Sequence, residues 1–185
     1  MERHSCPNPG NLATTLLIII GTSFYSNRLA SGFYPEIVNN FHLMLSFLCI
    51  CFSLCFFTSD PGYYLDLAFK PLLKQKIGFS GKGFTYNYCE TCKMNKDDTT
   101  IHCVQCHRCV REFHHHCSML SNCIGADNKK LFQLLMIFMH VWSIYIILQS
   151  ILGIIYGAWA FGFLFILGTV IEIYLCLVTF FNYLL

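Results

Sequence analysis

Long runs of apolar residues constrain this chain more than any other feature of its sequence. Four of them stand out, at 12–25, 41–57, 131–156 and 158–185. A helix needs about 20 predominantly apolar residues to cross the hydrocarbon core of a bilayer, and the last two runs exceed that length. Hydrophobic residues make up 55% of the chain and charged residues 12%, too few charges to cover a soluble globule of this size. The sequence therefore predicts an α-helical membrane protein with four transmembrane helices.

The first two runs are shorter and need separate interpretation. The first reaches a spanning length only if it continues past Asn27 and Arg28 to residue 34, and it could instead be the core of a signal peptide. A membrane anchor is the preferred interpretation, because no small-residue cleavage site follows the run. The second run ends at Asp60-Pro61-Gly62, which is a strong stop signal for a helix.

Positive charge is concentrated between the second and third runs. Ten of the twelve Lys and Arg residues lie between Lys70 and Lys130. The positive-inside rule places this segment in the cytosol, and four spans then place both termini there as well. We therefore predict three regions: an N-terminal tail with helices 1 and 2 (1–62), a small cytosolic cysteine-rich zinc domain (63–130), and helices 3 and 4 (131–185).

The segment 89–123 holds seven of the twelve cysteines, spaced C-x2-C-x9-H-C-x2-C-x2-C-x4-HHHC-x5-C. A structural zinc site takes four Cys or His ligands, and each CxxC pair offers two thiolates on a tight turn. Two sites of three cysteines and one histidine use six cysteines and leave one over. Cys117 follows three histidines, which suits an activated thiolate. Spacing alone leaves open the alternative that Cys117 is a ligand and another cysteine is spare.

One alternative class of protein and two polar residues in the apolar runs need separate interpretation. A nucleic-acid-binding zinc finger is disfavoured by the apolar runs, the pI near 8.0 and the lack of finger-type helix spacing, so we expect no nucleic-acid partner. His140 is expected to be a packed helix residue. Glu172 is costly in lipid and is expected to face the bundle interior or a cavity, with its role open.

On these residues, the chain resembles the DHHC family of protein S-acyltransferases (palmitoyltransferases) over nearly its whole length. The resemblance rests on Asp60-Pro61-Gly62 after the second run, on the cysteine-rich region 86–132, and on the two apolar runs that follow. Within that region, Asn122-Cys123-Ile124-Gly125 is followed by Asn128 and Phe132. In lacking proline-tryptophan after the histidines, the chain is similar to a short branch of the family.

The resemblance implies roles for individual residues. It implies two interleaved structural zinc ions, held by Cys89, Cys92, His102 and Cys109 and by Cys103, Cys106, His116 and Cys123. It also implies that Cys117 accepts the acyl group, with His115 as its general base and His114 at the third catalytic position.

The activity that the resemblance implies is transfer of palmitoyl, or a similar long-chain acyl group, from acyl-CoA to cysteines of membrane-associated proteins. The expected partners are palmitoyl-CoA, such protein substrates and membrane lipids, and the expected location is the endoplasmic reticulum or Golgi. Lys129 and Lys130 either contact the CoA phosphates or simply mark the start of the third span.

Three departures from the family pattern bear on that activity. His114 stands where the family has aspartate, Ser118-Met119 replaces proline-tryptophan, and the sequence ends at Leu185, before the family's Thr-Thr-x-Glu segment and C-terminal amphipathic region. A histidine cannot supply the negative charge that stabilises imidazolium in a Cys-His-Asp relay. The alternative is therefore a catalytically impaired membrane scaffold or adaptor that keeps the zinc fold.

Overall fold

The structure is a computed structural model that describes residues 10–30, 32, 34–64, 87–156 and 158–184. Four helices, α1 to α4, span Gly10–Ala30, Glu36–Thr58, Lys129–Ile155 and Phe161–Leu184. Six short strands, β1 to β6, span Asn87–Cys89, Met94–Lys96, Ile101–Cys103, Arg108–Val110, His115–Cys117 and Asn122–Ile124. The predicted domain 63–130 includes residues 65–86, which lie outside the described part of the chain.

Three helices in the described part of the chain are long and apolar enough to cross a membrane, namely α2, α3 and α4 over Phe161–Val178. This confirms a membrane protein built from apolar helices. The 21-residue α1 is not among the three, because Asn27, Arg28 and several Thr and Ser side chains lower its apolar content. The fourth crossing therefore stays a prediction.

The helices pack around α3, whose Leu135, Trp142 and Ile146 are buried. Hydrogen bonds between helices accompany this packing: Trp142 Nε1 donates to Ser46 Oγ (2.9 Å), and Ser23 Oγ lies 2.7 Å from the same oxygen. Hydroxyl and indole groups inside a membrane bundle need such partners, because lipid offers none. Ser23 of α1 is therefore directed towards α2 rather than lipid.

Three antiparallel hairpins lie between α2 and α3. Hairpin 1 pairs β1 with β2, hairpin 2 pairs β3 with β4, and hairpin 3 pairs β5 with β6. They repeat every fourteen positions, beginning at residues 87, 101 and 115. Each four-residue turn ends in a left-handed residue, Lys93, His107 or Ser121, with φ of 52°, 52° and 51°. The cysteine-rich region is therefore a threefold repeat of one small unit.

The end of α2 holds the hairpins against the membrane bundle. Asn122 Nδ2 donates to the carbonyl oxygens of Phe56 (2.8 Å) and Ser59 (3.0 Å) at the C-terminal end of α2. In the turn that follows, Asp60 Oδ1 accepts the amide of Gly62 at 2.8 Å, and the carbonyl of Gly62 accepts the amide of Arg111 at 3.0 Å. The Asp60-Pro61-Gly62 turn that ends α2 thus also contacts the hairpin region through Arg111.

Gly125 marks the closest approach in this junction. A Cβ at this position would lie 2.3 Å from the Pro61 carbonyl oxygen and 2.9 Å from the Arg111 carbonyl oxygen. Because both obstacles are backbone atoms, Gly125→Ala is expected to lower the free energy of unfolding by about 3 kcal/mol. Thermal unfolding in detergent measures this, with Gly162→Ala as the control, since a Cβ there meets nothing within 4 Å. Equal stability of the two variants would contradict the close approach.

Candidate functional site

The first group of metal-ligating side chains joins hairpins 1 and 2. Cys89 and Cys92 lie at the turn of hairpin 1, while His102 and Cys109 face each other across hairpin 2. All four ligand atoms lie within 4.8 Å of one another. His102 Nδ1 is 3.1 Å from Cys92 Sγ, 3.7 Å from Cys89 Sγ and 3.9 Å from Cys109 Sγ.

The second group repeats this arrangement one hairpin later. Cys103 and Cys106 come from the turn of hairpin 2, and His116 and Cys123 face each other across hairpin 3. The His116 Nδ1 to sulfur distances are 3.8, 3.3 and 3.5 Å. Tetrahedral ligands held about 2.0–2.3 Å from a zinc ion lie about 3.3–3.8 Å apart, so both groups fit the ion in donor type and spacing. The structure brings together the two sets of four that the resemblance implied.

Hairpin 3 breaks the pattern at its turn. Cys117 occupies the position equivalent to Cys89 and Cys103, but Leu120 replaces the second cysteine of the pair. In the described chain no further hairpin supplies a histidine and a cysteine opposite this turn, because residues after 128 form α3. Cys117 therefore lies outside both groups: its turn resembles a zinc-binding turn that lacks the other three ligands.

An apolar cavity of about 510 Å³ lies where those ligands would be expected. The histidine-cysteine segment of hairpin 3 forms one wall, and residues of α3 and α4 form the others, including Phe132, Leu135, Met136, Met139, Leu175 and Val178. A second cavity of about 390 Å³ shares Met119, Met139 and Leu175 with the first and reaches Trp142 beside α1. Together they offer an apolar space whose lining includes one thiol, that of Cys117.

Two opposing effects act on the Cys117 thiol. Burial raises its pKa, while hydrogen bonds from the backbone N–H groups of Leu120 and Met119 lower it in part. The equivalent contact in hairpin 1, from the amide of Cys92 to Cys89 Sγ, measures 3.4 Å. A turn of the same form as those in the two ligand groups thus supplies amide donors to a thiol that belongs to neither group. The resting state is a neutral thiol with donors in place to stabilise its anion.

His115 lies two residues before Cys117 on β5, so both side chains are on the same face of the strand. Burial, with the neighbouring His114 and His116 rings, lowers the pKa of His115 to about 4, which leaves the imidazole neutral near pH 7. Its Nδ1 lies 3.1 Å from Nδ1 of His114. In the tautomer in which His115 donates to His114, Nε2 of His115 is the ring atom that can accept a proton.

His114 occupies the position of the orienting acid without its charge. It contacts the same ring nitrogen that a carboxylate would contact in a Cys-His-Asp relay. A neutral imidazole acceptor can hold the tautomer and the ring orientation of His115. It cannot offset the positive charge that His115 gains with a proton, and that charge would lie in a buried site.

Sequence reasoning missed one feature of the site and one contact in the helix bundle. Asn122 pairs directly with Cys117 across hairpin 3 and ties it to α2. His140 and Glu172 are joined across α3 and α4 at 2.8 Å. The pairing of Asn122 with Cys117 was detectable, since the cysteines and histidines at 89, 103 and 117, at 92 and 106, at 102 and 116, and at 109 and 123 are all fourteen positions apart. The second was not, because it depends on how two helices rotate against each other.

Comparison with known proteins identifies one family model, DHHC palmitoyltransferase, which matches residues 82–185. Palmitoyltransferase ZDHHC9 of Homo sapiens is 34% identical over 96 residues, covering 50% of this chain and 26% of the relative. Palmitoyltransferase ZDHHC4 of Bos taurus is 38% identical over 97 residues, 50% of this chain and 28% of the relative. Palmitoyltransferase ZDHHC8B of Danio rerio is 28% identical over 170 residues, 86% of this chain and 21% of the relative. The matches therefore span between a fifth and about three tenths of these relatives.

Proposed function

Since this chain belongs to the DHHC palmitoyltransferase family, we propose that it transfers palmitoyl, or a similar long-chain acyl group, from acyl-CoA to cysteines of membrane-associated proteins. The observation that carries the proposal is the position of Cys117, a thiol at the end of an apolar cavity between hairpin 3, α3 and α4. An alkyl chain fits that cavity because half of the lining residues are Leu, Met or Phe, and its thioester would then lie beside the thiol.

The proposed reaction has two steps. His115 Nε2 accepts the proton of Cys117, and the sulfur attacks the carbonyl carbon of the acyl-CoA thioester. The bond from that carbon to the CoA sulfur breaks, and His115 returns the proton to the departing CoA thiolate. In the second step, the thiol of a substrate cysteine attacks acyl-Cys117, which restores the Cys117 thiol. Because the resting pair is neutral, proton transfer accompanies attack rather than preceding it.

We propose structural zinc ions for the two groups of four ligands. Three thiolates and one imidazole give a closed site with no open position for substrate, so zinc would supply folding energy rather than chemistry. His116 and Cys123 would anchor both strands of hairpin 3, and His116 adjoins both His115 and Cys117. The ion would thus hold the segment that carries the reacting pair in position.

The proposed topology follows from charge. The hairpins and both termini would lie on the cytosolic side of the endoplasmic reticulum or Golgi membrane. Acyl-CoA and reduced thiols are both available on that side. Lys129 and Lys130 are exposed at the start of α3. They are candidates to contact the CoA phosphates at the membrane face.

The direct test is autoacylation of the purified full chain with labelled palmitoyl-CoA. A label that neutral hydroxylamine removes indicates a thioester, as the proposal requires. The impaired-scaffold alternative is favoured by one observation, the contact of His115 with the imidazole of His114 in place of a carboxylate. It predicts a folded chain with zinc in both groups and no label.

His114→Asp is expected to raise the acylation rate by roughly a hundredfold or more, because a carboxylate would stabilise the imidazolium of His115. His114→Asn, similar in shape but uncharged, is the matched control and should show no such gain. Rates measured over the first seconds of labelling give the comparison. Equal rates in the two variants would exclude the missing charge as the limiting defect.

The pH dependence provides a second check on the same residue. The base must be neutral to act, and burial lowers the pKa of His115 to about 4. Labelling of the unmodified chain should therefore persist as the pH falls from 7 towards about 5. A new carboxylate in His114→Asp would raise that pKa and move the acid limb to higher pH. An acid limb near pH 6.5 in the unmodified chain would contradict a buried neutral His115.

A further inference from the structure

A hydrogen bond from α1 reaches the turn of hairpin 3 that follows Cys117. The hydroxyl of Thr15 lies 3.1 Å from the carbonyl oxygen of Met119, and the two residues are 104 positions apart. The same hydroxyl is 3.1 Å from the carbonyl oxygen of Asn11 in its own helix, so its one hydrogen is shared between two acceptors. Thr15 is buried. The contact therefore links the first turns of α1 to the Cys117 turn in a place shielded from solvent.

The Met119 carbonyl belongs to the peptide group whose N–H is that of Leu120. This N–H and the N–H of Met119 are the backbone donors to the Cys117 sulfur. A peptide group is planar and trans, so its oxygen and its hydrogen point in opposite directions and turn together. A donor that holds the oxygen on one side therefore fixes the direction of the N–H on the other. Two hydrogen bonds in series thus run from Thr15, through this peptide group, to the sulfur.

Hairpin 1 shows what the turn of hairpin 3 lacks. The Cys89 sulfur receives the equivalent backbone contacts, from the N–H groups of Thr91 and Cys92. Cys92 also belongs to a ligand group, so a bound ion would hold that turn at both cysteines. In hairpin 3 the equivalent position is Leu120, whose side chain has no metal-ligating atom. A contact other than a metal ion has to hold this turn, and the Thr15 hydroxyl is such a contact.

Apolar packing brings α1 onto the turn. Leu12 and Ile19 are buried three positions before and four positions after Thr15, on the same face of the helix. Both belong to the apolar cluster that includes Leu120, and Met119 packs against that cluster. The packing is not directional, whereas the hydrogen bond from Thr15 is. The hydroxyl therefore supplies the orientation that packing alone does not.

We propose that Thr15 is a positioning residue for Cys117. By holding the Met119 carbonyl, it keeps the N–H of Leu120 directed at the sulfur. For acyl transfer this role rests on the proposed function, in which the amides would stabilise the sulfur anion after His115 takes the proton. Thr15 also lines the second cavity, so a change in acylation alone would not separate positioning from contact with the acyl chain. A small alkylating reagent separates the two.

The test is the rate at which iodoacetamide alkylates Cys117 in the purified full chain at one fixed pH, resolved by tandem mass spectrometry. The sulfur displaces iodide, which requires no acyl-CoA. Thr15→Val removes the hydroxyl and is expected to slow this reaction about three- to tenfold. Thr15→Ser keeps a hydroxyl and should react at nearly the unmodified rate. Thr14→Val is the matched control, because the Thr14 hydroxyl donates to Gly10 within α1, and it should leave the rate unchanged.

Zinc content and thermal unfolding are measured on the same samples. Alkylation at the unmodified rate in Thr15→Val would overturn the proposal. An equal loss in Thr15→Val and Thr15→Ser would also overturn it, since the residue would then act through its shape. Slower alkylation together with loss of zinc would show that Thr15 supports the whole hairpin region, again contrary to the proposal. Failure of the proposed function is a separate result: no label from palmitoyl-CoA in the unmodified chain, with alkylation still dependent on Thr15.

Discussion

Cys117→Ser is expected to abolish acyl-enzyme formation, with labelling from palmitoyl-CoA at least about a thousandfold below the unmodified chain. Serine nearly matches the shape of cysteine, but its hydroxyl is far less acidic and less nucleophilic than a thiol. With a neutral His115 as base, the hydroxyl would remain protonated. Cys117 lies outside both groups of four ligands, so zinc content and thermal stability should be unchanged.

The control for this variant is Cys55→Ser, which removes an exposed cysteine of α2. It should label normally, showing that the thioester does not form on any available thiol. Hydroxylamine-sensitive label that persists in Cys117→Ser would refute the proposed intermediate. Loss of label accompanied by loss of zinc would instead indicate that Cys117 is a metal ligand, which is the alternative that spacing alone had left open.

Cys123→Ser is expected to produce the opposite combination, with both zinc binding and labelling lost. Cys123 is completely buried and belongs to the second ligand group, opposite His116 on hairpin 3. A structural zinc site contributes about 10–16 kcal/mol in small zinc domains, so losing one thiolate removes a large part of the energy that folds this hairpin. Asn122, the adjacent residue, would then release its bonds to the end of α2.

The measurements are zinc per chain and the rate of limited proteolysis within 87–128. Val104→Ala serves as the control, because Val104 is 74% exposed in the turn between Cys103 and Cys106 and contributes no ligand. It should keep both hairpin-site ions and normal labelling. Retention of two such ions in Cys123→Ser would show that the second group is assembled from different residues.

Much of the architecture was predictable because it depends on local pattern. Apolar runs predicted the helices, and the structure extends the second from 41–57 to Glu36–Thr58, since Pro35 and Ser59 flank it. The family resemblance predicted the two ligand sets. The fourteen-residue repeat explains why the second set has the same spacing as the first. Turn cysteines of one hairpin meet the facing His and Cys of the next.

Other properties could not be predicted, because they depend on contacts between distant segments. Whether α1 crosses the membrane depends on how Asn27 and Arg28 are accommodated at its far end. The contact between His114 and His115 depends on ring rotation within hairpin 3, which sequence order does not specify. His140 and Glu172 are 32 residues apart, and each was considered by itself as a single residue in an apolar run.

Local pattern was enough to predict apolar helices around a cysteine-rich segment with one cysteine more than two zinc sites need, because apolar runs and ligand spacing can be read along the chain. What the Cys117 thiol faces depends on how distant segments pack. Cys117 lies at the end of the hairpin repeat, where the α3–α4 face replaces a fourth hairpin and presents Phe132 and Leu135 instead of ligands. A position that twice earlier in the chain belongs to a group of metal-ligating side chains thus becomes a thiol beside an apolar cavity, since its chemistry depends on the surface packed against it.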